Sequence, residues 1–253
     1  MRLNLNDRQN DIWNAIQRDG EAKISELKEQ YAVTDMTIRR DLEKLESLGL
    51  VRRTFGGAIP VTLDVSLQER DTVRTDEKAR IGKAAASLIR PNQAVFIDGG
   101  TTTLQVARHI HPDSSITVVT NALNVAAVLL DKGIHTIVAG GMLLEKTGSM
   151  VGPIAIGTLG AMAFDQVFLG TTGITAEHGF SNSNSFEAEL KRQAMRRAHR
   201  VNVVADATKF GERTLHSFAS LTEVHCVVTD RAPSLALEEA AGGDGPDWMI
   251  APV

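Results

Sequence analysis

The sequence predicts an α/β chain in two parts, a small domain of helices closed by a basic hairpin and a larger domain in which helices alternate with strands. Three observations carry this. In Val33-Thr34-Asp35-Met36-Thr37-Ile38-Arg39-Arg40-Asp41-Leu42 the apolar residues recur at helical spacing, while polar and cationic groups gather near the helix start. Leu50 to Ala58 reads as strand, glycine turn and strand. From Asp76 onward, short apolar runs alternate with amphipathic ones, the pattern of a mostly parallel sheet covered by helices.

Taken in order, Asn6 to Arg18 places Ile12, Trp13 and Ile16 on one helix face, and Gly20 is a C-terminal stop. Ile24, Leu27 and Tyr31 define a short second helix with Ser25 offered as its N-cap, broken at Ala32-Val33-Thr34. Thr34 then caps the third helix, whose Ile38, Leu42, Leu45 and Leu48 face a core until Gly49 ends it. The hairpin follows at Leu50-Val51-Arg52-Arg53-Thr54-Phe55-Gly56-Gly57-Ala58. Three helices and a basic hairpin make a winged helix-turn-helix, a unit that reads duplex DNA. A merely solvated face would explain the third helix but not the hairpin.

Residues 1–60, taken as this domain, hold ten Lys or Arg and ten Asp or Glu, so net charge does not point to DNA; the placement of the cations does. The residues expected at the duplex are Thr34, Met36, Thr37, Arg39, Arg40, Lys44, Arg52 and Arg53. Arg39 or Arg40 suits a guanine edge, a bidentate contact worth about 1–3 kcal/mol of base discrimination. The Thr34 and Thr37 hydroxyls suit phosphates or base edges, and Arg52 and Arg53 suit phosphates beside the wing. Asp41 cannot favour DNA and is expected to orient an arginine one turn away or on a neighbouring helix.

The full chain has 253 residues and a net charge of -4, all of it on residues 61–253, so the larger part does not look nucleic-acid-binding. The start Met1-Arg2-Leu3-Asn4 lacks the apolar core of a signal peptide, and no apolar run reaches the length of a membrane span. Cys226 is the only cysteine and sits in an apolar run, as a small buried hydrophobe. No disulfide framework is possible, and a reducing cytoplasm fits. Residues 61–75 join the two parts; the alternation of Leu63, Val65 and Leu67 suggests an arm half-buried on the second domain.

In residues 76–253 the expected strands are Ala94 to Ile97, Ile116 to Thr120, Ile134 to Ala139, Gln166 to Leu169, Val201 to Ala205 and Val224 to Thr229. The expected helices are Lys78 to Arg90, Thr102 to His111, Ala122 to Asp131, Ile154 to Met162 and Ser185 to His199, and Ala240 to Pro246 reads as a loop. Ligands of such sheets gather at the carboxyl ends of strands. There the chain places Asp98-Gly99-Gly100-Thr101-Thr102-Thr103, Thr120-Asn121, Gly140-Gly141, Gly170-Thr171-Thr172-Gly173 and Asp206-Ala207-Thr208-Lys209. The first runs from strand into helix and combines converging amides, hydroxyls and a helix N-terminus, which suits a phosphate. Lys209 can neutralise a phosphate or pair with a carboxylate, and Asp98, Asn121 and Asp206 can accept from sugar hydroxyls. Glu187 and Lys191 stand four apart, either as a surface ion pair or as ligand contacts if their helix lines the cleft. The histidines show no metal spacing, no catalytic triad can be drawn, and no cofactor is expected.

Together, Thr34 to Leu42, Phe55-Gly56-Gly57-Ala58, Glu77-Lys78, Ile97 to Thr102, Thr120-Asn121, Gly140-Gly141, Glu187 with Lys191, Asp206 with Lys209-Phe210-Gly211, and Thr229-Asp230 resemble the DeoR/GlpR family of bacterial transcriptional repressors. The resemblance runs from about Leu5 to Arg231. It implies an operator-binding domain and an effector domain similar in fold to ribose-5-phosphate isomerase that senses a phosphorylated sugar. Carried over, Asp98, Gly99, Gly100, Thr101, Thr102, Asn121, Gly141, Thr171, Lys191, Asp206 and Lys209 would form the effector pocket. Two functions stay open: a ligand-released repressor of a carbohydrate operon, and a phosphosugar isomerase fused to a DNA-binding domain with Glu187 or Asp98 as base. A homo-oligomer is expected, because two half-sites are needed for tight, selective binding.

Overall fold

The computed structural model describes residues 5–19, 21–48, 50–54, 56–60, 67 and 71–252; Gly20, Gly49, Phe55, Leu63 and Val65 of the sequence reading lie outside them, as does the Arg52 side chain. The chain divides into two compact units, Met1–Asp64 and Val65–Val253.

In the first unit α1 (Asp7–Asp19), α2 (Ile24–Gln30) and α3 (Asp35–Ser47) enclose Ile12, Ile16, Leu27, Ile38, Leu42 and Leu45. Strands β2 (Val51–Arg53) and β3 (Gly57–Pro60) form the hairpin, and β1 (Ala22–Lys23) adds a third strand on β3. This short strand corrects the expected cap of α2. Lys23 is the N-cap residue and makes no side-chain cap, Ser25 lies inside the helix, and the Ile24 N–H is accepted by Gly56 O at 2.9 Å. The wing thus satisfies a helix-start donor that a serine would otherwise serve. Thr34 does cap α3, its Oγ1 accepting from Thr37 N.

The second unit is built on a seven-stranded parallel sheet: β4 (Ala94–Ile97), β5 (Thr117–Thr120), β6 (His135–Val138), β9 (Phe164–Gly170), β12 (Ala198–Val204), β14 (Cys226–Thr229) and β15 (Asp247–Ile250), ordered 15-14-12-9-4-5-6. Its strands send alternate side chains to two cores, Phe96, Val167 and Val203 to one and Val95, Ile97, Phe168 and Val204 to the other. Helices α4 (Thr75–Ala86), α5 (Thr101–His109) and α6 (Leu123–Asp131) contribute to the second core, while α7 (Pro153–Gly160) and α8 (Ser185–Arg196) contribute to the first. A two-stranded hairpin of β7 (Met142–Leu144) and β8 (Ser149–Val151), a small sheet of β10 (Gly173–Thr175), β11 (Gly179–Asn182) and β13 (His216–Ala219), and α9 (Leu235–Ala241) complete it. Cys226 is buried on β14, which raises its thiol pKa above the usual value.

Strand order decides where a ligand can sit. From β4 the chain moves outward through β5 to β6, then returns to place β9 on the other flank of β4. The β4–β9 border is therefore the switch point, where the loops leaving adjacent strands part and open a crevice.

Candidate functional site

A cavity of about 310 Å³ occupies that crevice. Its wall takes Gly99, Gly100, Thr101, Thr102 and Thr103 from the β4 exit, Gly170, Thr171 and Thr172 from the β9 exit, and Asp206, Thr208 and Lys209 from the β12 exit. Glu187 and Lys191 reach it from α8, Asn182 from β11, and Arg74 and Lys78 from the start of α4. Helix α5 begins here without any side-chain cap, so its first-turn amides are left for another acceptor. Gly100 has φ 155° and ψ 165°, a conformation open essentially to glycine alone. Gly99 is held by space: a Cβ would lie 2.1 Å from Ser149 Oγ.

Beneath the wall lies a buried ion pair. Lys191 Nζ donates to Asp98 Oδ2 and, at 3.0 Å, to Gly170 O, while Asp98 Oδ2 also accepts from Gly170 N at 3.2 Å. Both side chains are at most 4% exposed, so the surface Glu187–Lys191 pair envisaged from spacing is not what Lys191 forms. Asp98 is spent on this pair and does not line the cavity; its role is to join the exits of β4 and β9 to α8. Glu187 accepts from Asn182 Nδ2 at 2.8 Å.

At the rim, Arg74 Nη2 lies 3.0 Å from Asp230 Oδ2 and 3.1 Å from Glu77 Oε1, and its Nε is buried without a hydrogen-bond partner, 3.8 Å from Asp206 Oδ1. Arg74 itself takes a left-handed backbone conformation, φ 54°. Lys78 is buried and donates to Val73 O at 2.7 Å. Asp206 turns inward, accepting from the Thr208 amide and hydroxyl. The Thr171 hydroxyl donates to the carbonyls of Gly173 and Ser181. Half-buried Lys209 differs from the other three cations of the wall: its ammonium has no hydrogen bond or ion pair with any described residue.

Two residues expected in the pocket lie elsewhere. Asn121 follows β5 and is fully buried, its Nδ2 donating to Met150 O at 3.2 Å, so it ties β5 to the β7–β8 hairpin. Gly141 follows β6 and is a packing glycine, since a Cβ there would lie 2.5 Å from Val151 O. Conversely, Arg74, Lys78 and Asn182 were not picked out as site residues. Their signals were the charged run Arg74-Thr75-Asp76-Glu77-Lys78 ahead of a helix and the polar run Ser181 to Ser185 leading into another. A larger, shallower hollow of about 480 Å³ lies at the amino ends of β12 and β14, away from the strand exits. Its polar groups serve each other: Arg192 donates to Ser217 O, Ser220 to Glu223, and the Val201 N–H to His225 Nδ1.

In the first unit Met36, Arg39, Arg40 and Lys44 are exposed on α3, and the two arginines have no hydrogen bond or ion pair with any described residue. Thr37 is half-buried, its hydroxyl 3.0 Å from that of Thr34. Asp41 is buried and accepts from Arg8 Nε at 2.6 Å and Gln9 Nε2 at 2.9 Å, which locks α3 to α1. Arg53 corrects the expectation of a phosphate-seeking wing residue. Its guanidinium lies 2.8 Å from Glu46 and 2.7 Å from Glu43, and its backbone N–H donates to Glu46 at 2.9 Å, so it fastens the wing to α3.

That N–H and then the guanidinium hold the Glu46 carboxyl below its ordinary value of 4.5. A depressed acid contributes stability that is complete above its ordinary value and lost as pH falls through the lowered one. Wing attachment is therefore expected to be insensitive to pH above 4.5 and to loosen on further acidification. Glu46→Gln should abolish that dependence. An Arg53 amide proton resonance that ignores acidification in the wild type would contradict the linkage.

Residues 73–231 match the family described as DeoR C terminal sensor domain, and residues 8–62 match the DeoR-like helix-turn-helix domain. The chain belongs to the DeoR family. It is 32% identical over 233 residues to the glycerol-3-phosphate regulon repressor of Escherichia coli K12, covering 91% of this chain and 92% of the relative. It is 35% identical over 210 residues to the transcriptional regulator GlpR of Haloferax volcanii, covering 82% of each. Among solved structures, ribose 5-phosphate isomerase A of Methanocaldococcus jannaschii matches at TM-score 0.41 with 12% identity over 54% of each chain. In this DeoR-family chain the switch-point cavity lies within the segment that matches the sensor domain. No helix among its described residues is long and apolar enough to cross a membrane, and no cluster of three or more His, Cys, Asp or Glu among them is placed to hold a metal.

Proposed function

We propose that this chain is a cytoplasmic repressor of a carbohydrate-metabolism operon that binds operator DNA as a homo-oligomer and is released by a phosphorylated sugar or related metabolite. One observation carries the ligand reading: an ammonium without a protein partner, Lys209, shares a cavity with the uncapped start of α5. Unpaired positive charge and open helix amides together favour a phosphate. The remaining wall groups, Thr101, Thr102, Asn182, Glu187 and Asp206, supply donors and acceptors for hydroxyls. A sensor rather than an isomerase follows from the same inventory. Asp98 is committed to Lys191, and Glu187 accepts from Asn182.

Ligand binding need favour the released conformation by only about 1–3 kcal/mol to weaken the operator complex five- to 150-fold. The decisive experiment is release of the chain from its own upstream duplex, titrated in parallel with glycerol, deoxyribose, pentose, hexose and fructose phosphates. One of them should release the duplex without being consumed. Turnover of any of them that disappears in Glu187→Ala would replace the sensor reading with the enzymatic one.

At the DNA surface, Arg39→Ala is expected to lower operator affinity by about 1–3 kcal/mol and relax preference at one base pair. Binding competitions with single-base operator variants check this. An unchanged preference would move the reading contact to another residue of α3.

A further inference from the structure

Thr120 to Phe164 contains only four charged residues, Asp131, Lys132, Glu145 and Lys146, two of each sign, whereas 23% of the chain is charged. This segment builds α6, β6, the β7–β8 hairpin and α7. Helix α6 buries Val125 and Leu129 and exposes Leu123, Ala127 and Leu130, an apolar stripe at i, i+4 and i+7 on its other side. Helix α7 has no charged residue, buries Ala155 and Leu159, and exposes Pro153, Ile154 and Gly157. Helices that are apolar all round are normally covered all round.

These exposed groups adjoin one another. The Leu123 N–H donates to Gly148 O at 3.1 Å, which brings α6 to the hairpin. Val138 ends β6, and the chain passes through Gly140, whose Cβ would lie 3.8 Å from Ile154 Cγ2, into Met142 and Leu143. Leu123, Leu130, Val138, Met142, Leu143 and Ile154 are 42–76% exposed. Strand β6 is also an open edge of the seven-stranded sheet, a row of unpaired backbone groups that soluble proteins cover or blunt.

We infer that this face is where a second copy of the chain docks, with β6, the hairpin and the outer sides of α6 and α7 meeting their own counterparts about a two-fold axis. Charge selects the occupant. An isologous interface sets every group against its own kind, so a face with net charge repels itself and this one, with none, does not. Lys132 is even drawn inward, its Nζ donating to Ile110 O at 2.8 Å and to Arg108 O. Contiguous apolar patches beyond a few hundred Å² are rare on monomers. A stable interface takes roughly 800 Å² from each partner, which two helix faces, a hairpin and an edge strand can furnish. The inference deepens the homo-oligomer part of the function proposed above and rests on it only for the reason the chain should pair.

Sedimentation velocity of the full chain at micromolar concentration tests it. Wild type should sediment above the mass of one 27.3 kDa chain. Leu130→Arg should sediment as a single chain with an unchanged circular dichroism spectrum, and Leu235→Arg, equally exposed on α9, should behave as wild type. Hydrogen exchange needs no variant: amides of His135–Val138 should lose protection as wild type is diluted. Monomeric wild type, Leu130→Arg assembling as wild type does, or β6 exchange independent of concentration would each overturn the assignment. Duplex binding is measured separately. An assembled chain that ignores its upstream duplex would sink the operator reading alone, and a monomer that binds it tightly would sink this one alone.

Discussion

Lys191→Ala is expected to cost about 3–5 kcal/mol of stability, because it leaves the Asp98 carboxylate buried without its cation. Domains are stable by about 5–15 kcal/mol in total, so the variant should unfold far earlier in urea. The loss belongs to the unpaired charge and not to a large net worth of the pair. Replacing both members by neutral groups, Asp98→Asn with Lys191→Met, should therefore recover most of it. Gly170, which donates to Asp98 and accepts from Lys191, would still lose two hydrogen bonds, so recovery should stop short of wild type. Urea denaturation of the three variants at neutral pH reads this directly. A single-variant loss below about 1 kcal/mol would mean that water hydrates Asp98 at little cost.

Lys209→Ala should leave operator affinity unchanged in the absence of ligand and weaken the effector. A charge-assisted hydrogen bond contributes about 1.5–3 kcal/mol, so the concentration needed for release should rise roughly ten- to 100-fold. Lys209 makes no bond to any described residue, which is why its removal should disturb the ligand and little else. Lys209→Arg keeps the charge and should lose less. Operator-release titrations with the active sugar phosphate separate the variants. An unchanged midpoint in Lys209→Ala would remove this residue from the phosphate site.

The parallel strands were legible because each is buried on both faces and reads as an apolar run; β4, β5, β6, β9, β12 and β14 all arise where such runs occur. Strand β1 was not legible. It is two residues, Ala22 and Lys23, that become a strand only by pairing with Ala58 and Gly57 far along the chain. The β10–β11–β13 sheet is short, glycine-containing and partly polar, so neither period nor composition marks it. Strand exits were recognised as ligand-gathering points, but periodicity cannot say which exits share one mouth. Asn121 and Gly141 leave β5 and β6, on the flank of β4 away from β9, and only the order of strands across the sheet separates them from Gly99 and Thr171. The Asp98–Lys191 pair and the guanidinium of Arg74 beside Asp206 and Asp230 join residues too distant in sequence for spacing to reveal.

The welded triad of Asp98, Lys191 and Gly170 makes the bottom of the crevice a fixture of folding, whereas Lys209 and the half-satisfied Arg74 sit at its lip. Stability and molecular taste are thereby assigned to different side chains. Substitutions at the lip can retune which metabolite the chain answers to while the framework below tolerates them, and a descendant regulator can change its chemical cue without first learning to fold again.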